Sequence, residues 1–167
     1  AQNNLILKPA ELIINDQDHE VFNADINEVA KKVNGDILYL DPPYNHRQYA
    51  TNYHLLETIA KYDNPKIHGK TGLREYGKQK SLYCSRTQVK KAFKDLILRA
   101  KAKYIFLSYN NEGLMTLDDI KEIMSLRGKY GHFTKEYNRF KADKSENRNY
   151  TANKTTEYLH YVVCENI

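Results

Sequence analysis

The sequence predicts an α/β fold with a parallel body and an antiparallel edge hairpin, on three observations. Short apolar runs alternate with segments of helical period through residue 126, the pattern of strands joined by crossover helices. The run DILYL (36–40) is apolar enough for a central parallel strand. HFTKEYNRF (132–140) and TEYLHYVVC (156–164) are longer and alternate in character, as antiparallel strands do. The 167 residues suit one domain and suffice to bury a core, and a hydrophobic content of 41% is ordinary for a globular protein.

The elements follow in order. EVFNA (20–24) reads as a short strand, then Asp25 and an amphipathic helix near 26–33 that Asn34-Gly35 ends. After DILYL, the segment YHLLETIAKY (53–62) has helical periodicity and stops at Asn64-Pro65. A basic, glycine-punctuated stretch over about 66–85 is long for a connection, which predicts a functional or mobile loop. In RTQVKKAFKDLILRAKAK, Val89, Phe93, Leu96 and Ile97 share one helix face. KYIFLSYN (103–110) is a third strand, and LDDIKEIMSL a helix N-capped by Thr116. KADKSENRNYTANK, between the last two strands, lacks a tight-turn signature and reads as a flexible hairpin arm. No internal repeat or low-complexity segment appears.

In such sheets ligands bind at the carboxyl ends of the parallel strands. Asp25, the turn Asp41–Tyr44 and the turn Ser108-Tyr109-Asn110 are all expected on that rim. Asp25 is equally explained as a helix N-cap, and the last three as strand-end caps.

Charge is unevenly spread. Between Lys66 and Lys91 stand eight Lys or Arg and one acid, Glu75, so this segment carries +7 of a net +5 and the remainder sums to −2. Clustered cations with Tyr76 and Tyr83 between them suit a polyanion such as nucleic acid; a solvated lysine-rich face is the alternative. Lys70, Arg74, Lys78 and Lys80 are the candidate phosphate contacts, with Arg139, Lys141 and Arg148 further candidates in the hairpin arm. The two cysteines, Cys84 and Cys164, match no metal-ligand spacing and are expected as free thiols in a reducing cytoplasm. The histidines form no HxxxH or HExxH pair, so no metal site is expected. No apolar run approaches the roughly 20 residues of a membrane span. The chain starts at Ala1 rather than Met, which reads as a processed or excised piece of something longer.

DPPY, residues 41–44, stops a core strand with an acid, two stiff residues and an aromatic. Its chemistry suits an aromatic amine such as adenine N6, whose lone pair is delocalised into the ring. A carboxylate and a backbone carbonyl that each accept a hydrogen bond from the amine draw its nitrogen towards tetrahedral geometry and free that lone pair. Pro42 and Pro43 lack backbone donors and restrict the chain, letting nearby carbonyls point outward. Tyr44 offers a flat face for an extruded base. The turn is a preorganised acceptor pair beside a stacking platform, suited to in-line methyl transfer.

DPPY and its flanks resemble the N6-adenine-specific DNA methyltransferases of the Dam-like class. The similarity runs through Asn45-His46-Arg47-Gln48-Tyr49, the YHLLETIA helix, SYNNEG after the third strand and KTTEYLHYVV near the end, nearly the whole chain. The resemblance implies a Rossmann-like sheet and an S-adenosylmethionine-dependent enzyme of a restriction-modification system, acting on double-stranded DNA with a flipped adenine. It implies catalysis by Asp41, Pro42, Pro43 and Tyr44, with Asp41 and the Pro42 carbonyl holding the amine. Asp25 and Ile26 would then bind the adenosine end of the cofactor, with Asp41 also on the cofactor side. Tyr44, Asn45, Ser108, Tyr109 and Asn110 would line the target pocket. Tyr49 and Tyr53 suit packing or substrate lining equally.

The departure from the family is as informative. Such enzymes carry a glycine-rich FxGxG-like turn before the DNA-recognition region, and DPPY after it. The glycines here, at 35, 69, 72, 77, 113, 128 and 131, include no pair spaced two apart, and the acidic residue expected at the end of the next strand is missing as well. The chain therefore reads as the C-terminal part of a catalytic domain, weakly active or inactive alone. Its DILYL and EVFNA strands would leave open edges, which predicts self-association or loosely held residues 1–24. An RNA base-amine methyltransferase and a non-catalytic nucleic-acid-binding remnant are the alternatives. A cytosine C5 methyltransferase is disfavoured, because it needs a Pro-Cys nucleophile and Cys84 follows Tyr83 while Cys164 follows Val163.

Overall fold

The computed structural model describes residues 8–138 and 154–165. Six strands and five helices follow one another as α1 (Ile26–Val29), β1 (Asn34–Leu40), α2 (Tyr49–Asn52), α3 (His54–Lys61), β2 (Ile67–His68), β3 (Leu73–Arg74), α4 (Val89–Arg99), β4 (Lys101–Asn110), α5 (Leu117–Ser125), β5 (Gly128–Asn138) and β6 (Lys154–Cys164). Two short 3₁₀ turns, Gly77–Gln79 and Leu82–Cys84, lie between β3 and α4.

The main sheet has the order β1-β4-β6-β5. β1 runs parallel to β4, while β6 is antiparallel to both β4 and β5. The fold is thus mixed α/β, with a parallel body of a single strand pair and an antiparallel edge. β2 and β3 form a separate two-stranded ladder.

One face of the sheet is closed. Val89, Ala92, Phe93, Leu96 and Ile97 recur at helical spacing on α4 and are all buried. They pack with Leu40, Ile105, Leu107 and Val162 of the strands and with Ile120, Ile123 and Met124 of α5 into one core. α5 starts with a reciprocal capping box, in which the Asp119 amide donates to Thr116 Oγ1 and the Thr116 amide to the Asp119 carboxylate.

The other face is uncovered. Ile37 (65% exposed) and Tyr39 (59%) on β1 share it with Tyr104, Phe133 and Leu159, which are also exposed. Across it the Tyr161 ring lies 5.5 Å from Phe133 and 6.4 Å from Phe106. Gly131 makes room for that ring, since a Cβ there would sit 2.4 Å from it. The outer edge of β1 has no strand partner among the described residues.

Several expectations need correcting. EVFNA is not a strand: residues 20–24 are irregular and exposed, with Val21 at 95%, because no strand beside β1 pairs with them. Ser108, Tyr109 and Asn110 are the last residues of β4, paired with Leu159, Tyr158 and Glu157, rather than a turn; the chain turns from Asn111 onward. The helix after Asp25 spans four residues, and the 53–62 helix is preceded by the short α2. β4, β5 and β6 start two to four residues earlier than the hydrophobic runs suggest. Nearly all of the hairpin arm, with Arg139, Lys141 and Arg148, lies outside the described residues.

Candidate active site

A cleft of about 1030 Å³ opens at the carboxyl end of β1. Asp25 and Ile26 line it from the start of α1, Asp41, Pro42 and Pro43 follow β1, and Tyr49, Tyr53, Lys78, Lys80 and Tyr83 contribute from the following segments.

Each of these segments is held by its own local logic. Asp25 caps α1, its carboxylate accepting from the Asn27 amide at 2.9 Å, so the cap and the place in the cleft belong to the same residue. The Asp41 turn is fixed from behind. The Tyr44 carbonyl accepts from the Leu114 amide at 2.9 Å and from the Tyr109 hydroxyl at 3.4 Å. Tyr109 in turn accepts from the Met115 amide at 3.3 Å. Burial raises the Tyr109 hydroxyl pKa, keeping it a donor. Asn45 folds the next residues by accepting from the Arg47 amide at 2.9 Å. The Tyr44 backbone is therefore anchored while its side chain remains 42% exposed. Among the described hydrogen bonds, none engages the Asp41 carboxylate or the Pro42 carbonyl.

The candidates of the post-β4 segment divide. Tyr109 and Asn110 are buried, and Asn110 accepts from the Glu112 amide at 3.1 Å. Tyr109 supports the Tyr44 backbone and Asn110 the turn after β4, and neither lines the cleft. Ser108 faces the uncovered side of the sheet, in register with Leu159.

The basic segment also divides. Arg74 is turned inward, its guanidinium paired with both Asp63 oxygens and reaching Thr58 Oγ1 at 3.3 Å. This pair holds Asp63 below the usual carboxylate range. Lys70 sits in the turn joining β2 to β3, and Lys78 and Lys80 at the cleft. The loop is built rather than loose, as its β-ladder and two 3₁₀ turns show.

Tyr49 and Tyr53 stack at 5.6 Å and 23° inside the cleft, which places in the site two residues whose role the sequence left open. Desolvation first, then the nearby Tyr53 and Asp41, raise the Tyr49 pKa. Sequence reading also missed Gln48, Asn27 and Gly113. The i to i+4 spacing of Tyr49 and Tyr53 was a legible signal for a shared face; the contacts of Gln48 with Ser81, 33 positions away, had none. Among the described residues no three metal-ligating side chains converge, Cys84 and Cys164 are free thiols, and no helix is long and apolar enough to cross a membrane.

The profile of the D12 class N6 adenine-specific DNA methyltransferases matches residues 1–123. The chain is 56% identical over 156 residues to the type II methyltransferase M.NlaIII of Neisseria lactamica, a match covering 93% of this chain and 46% of that protein. It is 42% identical over 165 residues to the type II methyltransferase M.FokI of Planomicrobium okeanokoites, covering 97% and 25%. It is 36% identical over 148 residues to the type II methyltransferase M.CviAII of Paramecium bursaria Chlorella virus 1, covering 87% and 42%. The chain thus spans less than half the length of each of these relatives. No solved structure matches it. By its DPPY cleft and by these matches, the chain belongs to the D12 class of N6 adenine-specific DNA methyltransferases.

Proposed function

We propose that this chain is the C-terminal part of the catalytic domain of an enzyme that methylates adenine N6 in double-stranded DNA, in the cytoplasm, within a type II restriction-modification system. The carrying observation is the Asp41–Tyr44 turn. Its carboxylate and Pro42 carbonyl are uncommitted at the edge of a cleft, while the Tyr44 backbone is anchored beside them. The β1-β4-β6-β5 order with helices on one face is compatible with a Rossmann-like methyltransferase sheet completed by further strands outside β1.

The cleft fits S-adenosylmethionine: about 1030 Å³ with a carboxylate and helix start at one end and apolar Tyr39, Phe93 and Leu96 in its lining. When bound, that cofactor supplies an electrophilic methyl group. Asp25 and Ile26 would hold its adenosine end, with Asp41 also lining the cofactor side of the cleft. Asp41 and the Pro42 carbonyl accept the two amine hydrogens of the flipped adenine, Pro43 keeps the turn rigid, and Tyr44 stacks on the base. Asn45, Ser108, Tyr109 and Asn110 act in this reading behind or beside the target pocket. Lys70, Lys78 and Lys80 take DNA phosphates, and Arg74 serves them indirectly by holding the loop to Asp63. The open β1 edge and uncovered face are the surfaces through which the isolated chain would self-associate.

The decisive measurement is methyl transfer by the full-length enzyme to duplex DNA and to structured RNA. Asp41→Ala should lower DNA turnover on the order of 10²-fold or more, with a smaller effect on cofactor affinity. Unchanged turnover in a folded variant, or preference for RNA, would overturn the reading. For the loop, neutralising Lys70, Lys78 and Lys80 should flatten the salt dependence of DNA binding by roughly 0.9 per lost contact. An unchanged slope returns these lysines to a solvated face.

A further inference from the structure

We propose that Ser81–Leu82–Tyr83 is a rigid bridge that sets the spacing of two segments lining the cleft, the one after β1 and the one that starts α1, with Gln48 and Asn27 as the positioning residues that anchor it. The proposal rests on the methyltransferase reading and assigns that site a spacing device.

Gln48 lies four residues beyond Tyr44. Its carboxamide grips one backbone unit from both sides, Oε1 accepting from the Ser81 amide at 2.8 Å and Nε2 donating to the Ser81 carbonyl at 3.2 Å. Two bonds to one residue fix orientation as well as distance. Cys84 Sγ donates to the Arg47 carbonyl at 3.3 Å, a second tie to the same segment. Two residues on from Ser81, within the 3₁₀ turn that Ser81 itself caps, the Tyr83 hydroxyl donates to Asn27 Oδ1 at 2.9 Å.

Asn27 has no freedom left. Its Nδ2 donates to the Ala92 carbonyl and to the Asp95 carboxylate, both at 2.9 Å, and its amide donates to Asp25 at 2.9 Å. A flipped carboxamide would set its NH2 against the Tyr83 hydroxyl and its oxygen against two acceptors, so one orientation is selected. A continuous path therefore runs from the DPPY turn through Gln48, Ser81, Tyr83 and Asn27 to Asp25. It joins two segments that line the cleft without passing through the sheet. Tyr83 is buried at 6% exposure, and burial raises its pKa, so its hydroxyl remains a donor at neutral pH.

Methyl transfer needs donor and acceptor at a fixed approach distance, and small misplacements are expensive in rate. A brace joining these two segments is a structural means of fixing that distance. A brace that served stability alone would affect unfolding and leave the rate per bound complex unchanged.

The test uses the full-length methyltransferase with single-turnover methylation of duplex DNA, cofactor and DNA affinities, and melting temperature. The variants are Gln48→Ala, Tyr83→Phe and the pair. Tyr83→Phe removes one oxygen and keeps the ring, so the fold is retained. Each single variant should lower the single-turnover rate by about tenfold or more, with affinities changed by less than about threefold. The double variant should lose no more than the worse single, because cutting one brace twice is the same as cutting it once. Gln48→Glu keeps the acceptor for the Ser81 amide and should recover part of the rate. Wild-type rates in the folded single variants, or losses that multiply in the double, would overturn the proposal. If Asp41→Ala is inactive while both brace variants run at wild-type rate, the bridge fails and the methyltransferase reading stands. A wild type without adenine methylation removes both.

Discussion

The two faces of the sheet draw on similar residues and end differently. On one, Ile105, Leu107 and Val162 are sealed under Phe93, Leu96, Ile97 and Met124. On the other, Ile37, Tyr39, Phe133 and Leu159 form an apolar surface that nothing in the described chain covers. Strand sequence alone therefore does not distinguish a covered face from an open one. What separates them among the described residues is that α4 and α5 pack on one face only.

The largest test of that contrast is in the sealed face. Phe93→Ala should destabilise the chain by about 3–5 kcal/mol, whereas Tyr39→Ala should stay within about 0.5 kcal/mol, both by urea denaturation. Equal losses would mean that the open face is already packed in solution.

The sealed face also contains His160, buried between Leu107 and His132 in the sheet. Its Nδ1 meets the Tyr130 hydroxyl at 2.8 Å, and its Nε2 has no partner among the described residues. Burial, with His132 adding repulsion, lowers its pKa to about 4 from 6.5. The unfolded chain therefore takes up this proton first. Stability is complete above about pH 6.5 and falls as pH drops towards 4, by up to about 3 kcal/mol. His160→Leu should remove that part of the acid slope in melting experiments from about pH 7.5 to 4.5; an identical slope would place the imidazole in contact with solvent.

Gly113 gives an intermediate effect. A Cβ there would lie 2.0 Å from the Tyr109 ring, the ring whose hydroxyl supports the Tyr44 carbonyl. Gly113→Ala should cost about 1–3 kcal/mol and slow methylation by displacing the turn. Destabilisation with normal turnover would separate Tyr109 from the site. The smallest effect belongs to the open face: Ile37→Lys should leave stability within about 0.5 kcal/mol while reducing self-association in size-exclusion chromatography. Unchanged association would move the contact elsewhere.

The sealed half was legible in the sequence because its elements are long and strongly periodic: α4, α5, β4 and β6 all carry their burial in their spacing. EVFNA was misread because an apolar run becomes a strand only where a neighbour supplies hydrogen bonds, and among the described residues none pairs with 20–24. At the site, the place of Asp41, Pro42 and Pro43 at the end of β1 could be read because the apolar run before them is a local signal. Gln48, Asn27 and Tyr83 could not, since their roles come from partners 33 to 68 positions away. Arg74 looked like one more loop cation, and only the fold shows that Asp63 holds it.

The anchoring of Tyr44 has a consequence for binding entropy. Ordering a residue's backbone costs about 1–2 kcal/mol, and here the carbonyl is already held by Leu114 and Tyr109. In the proposed reading, a base stacking on Tyr44 would need to still only two side-chain torsions, so little of the stacking energy would be lost to disorder in the turn.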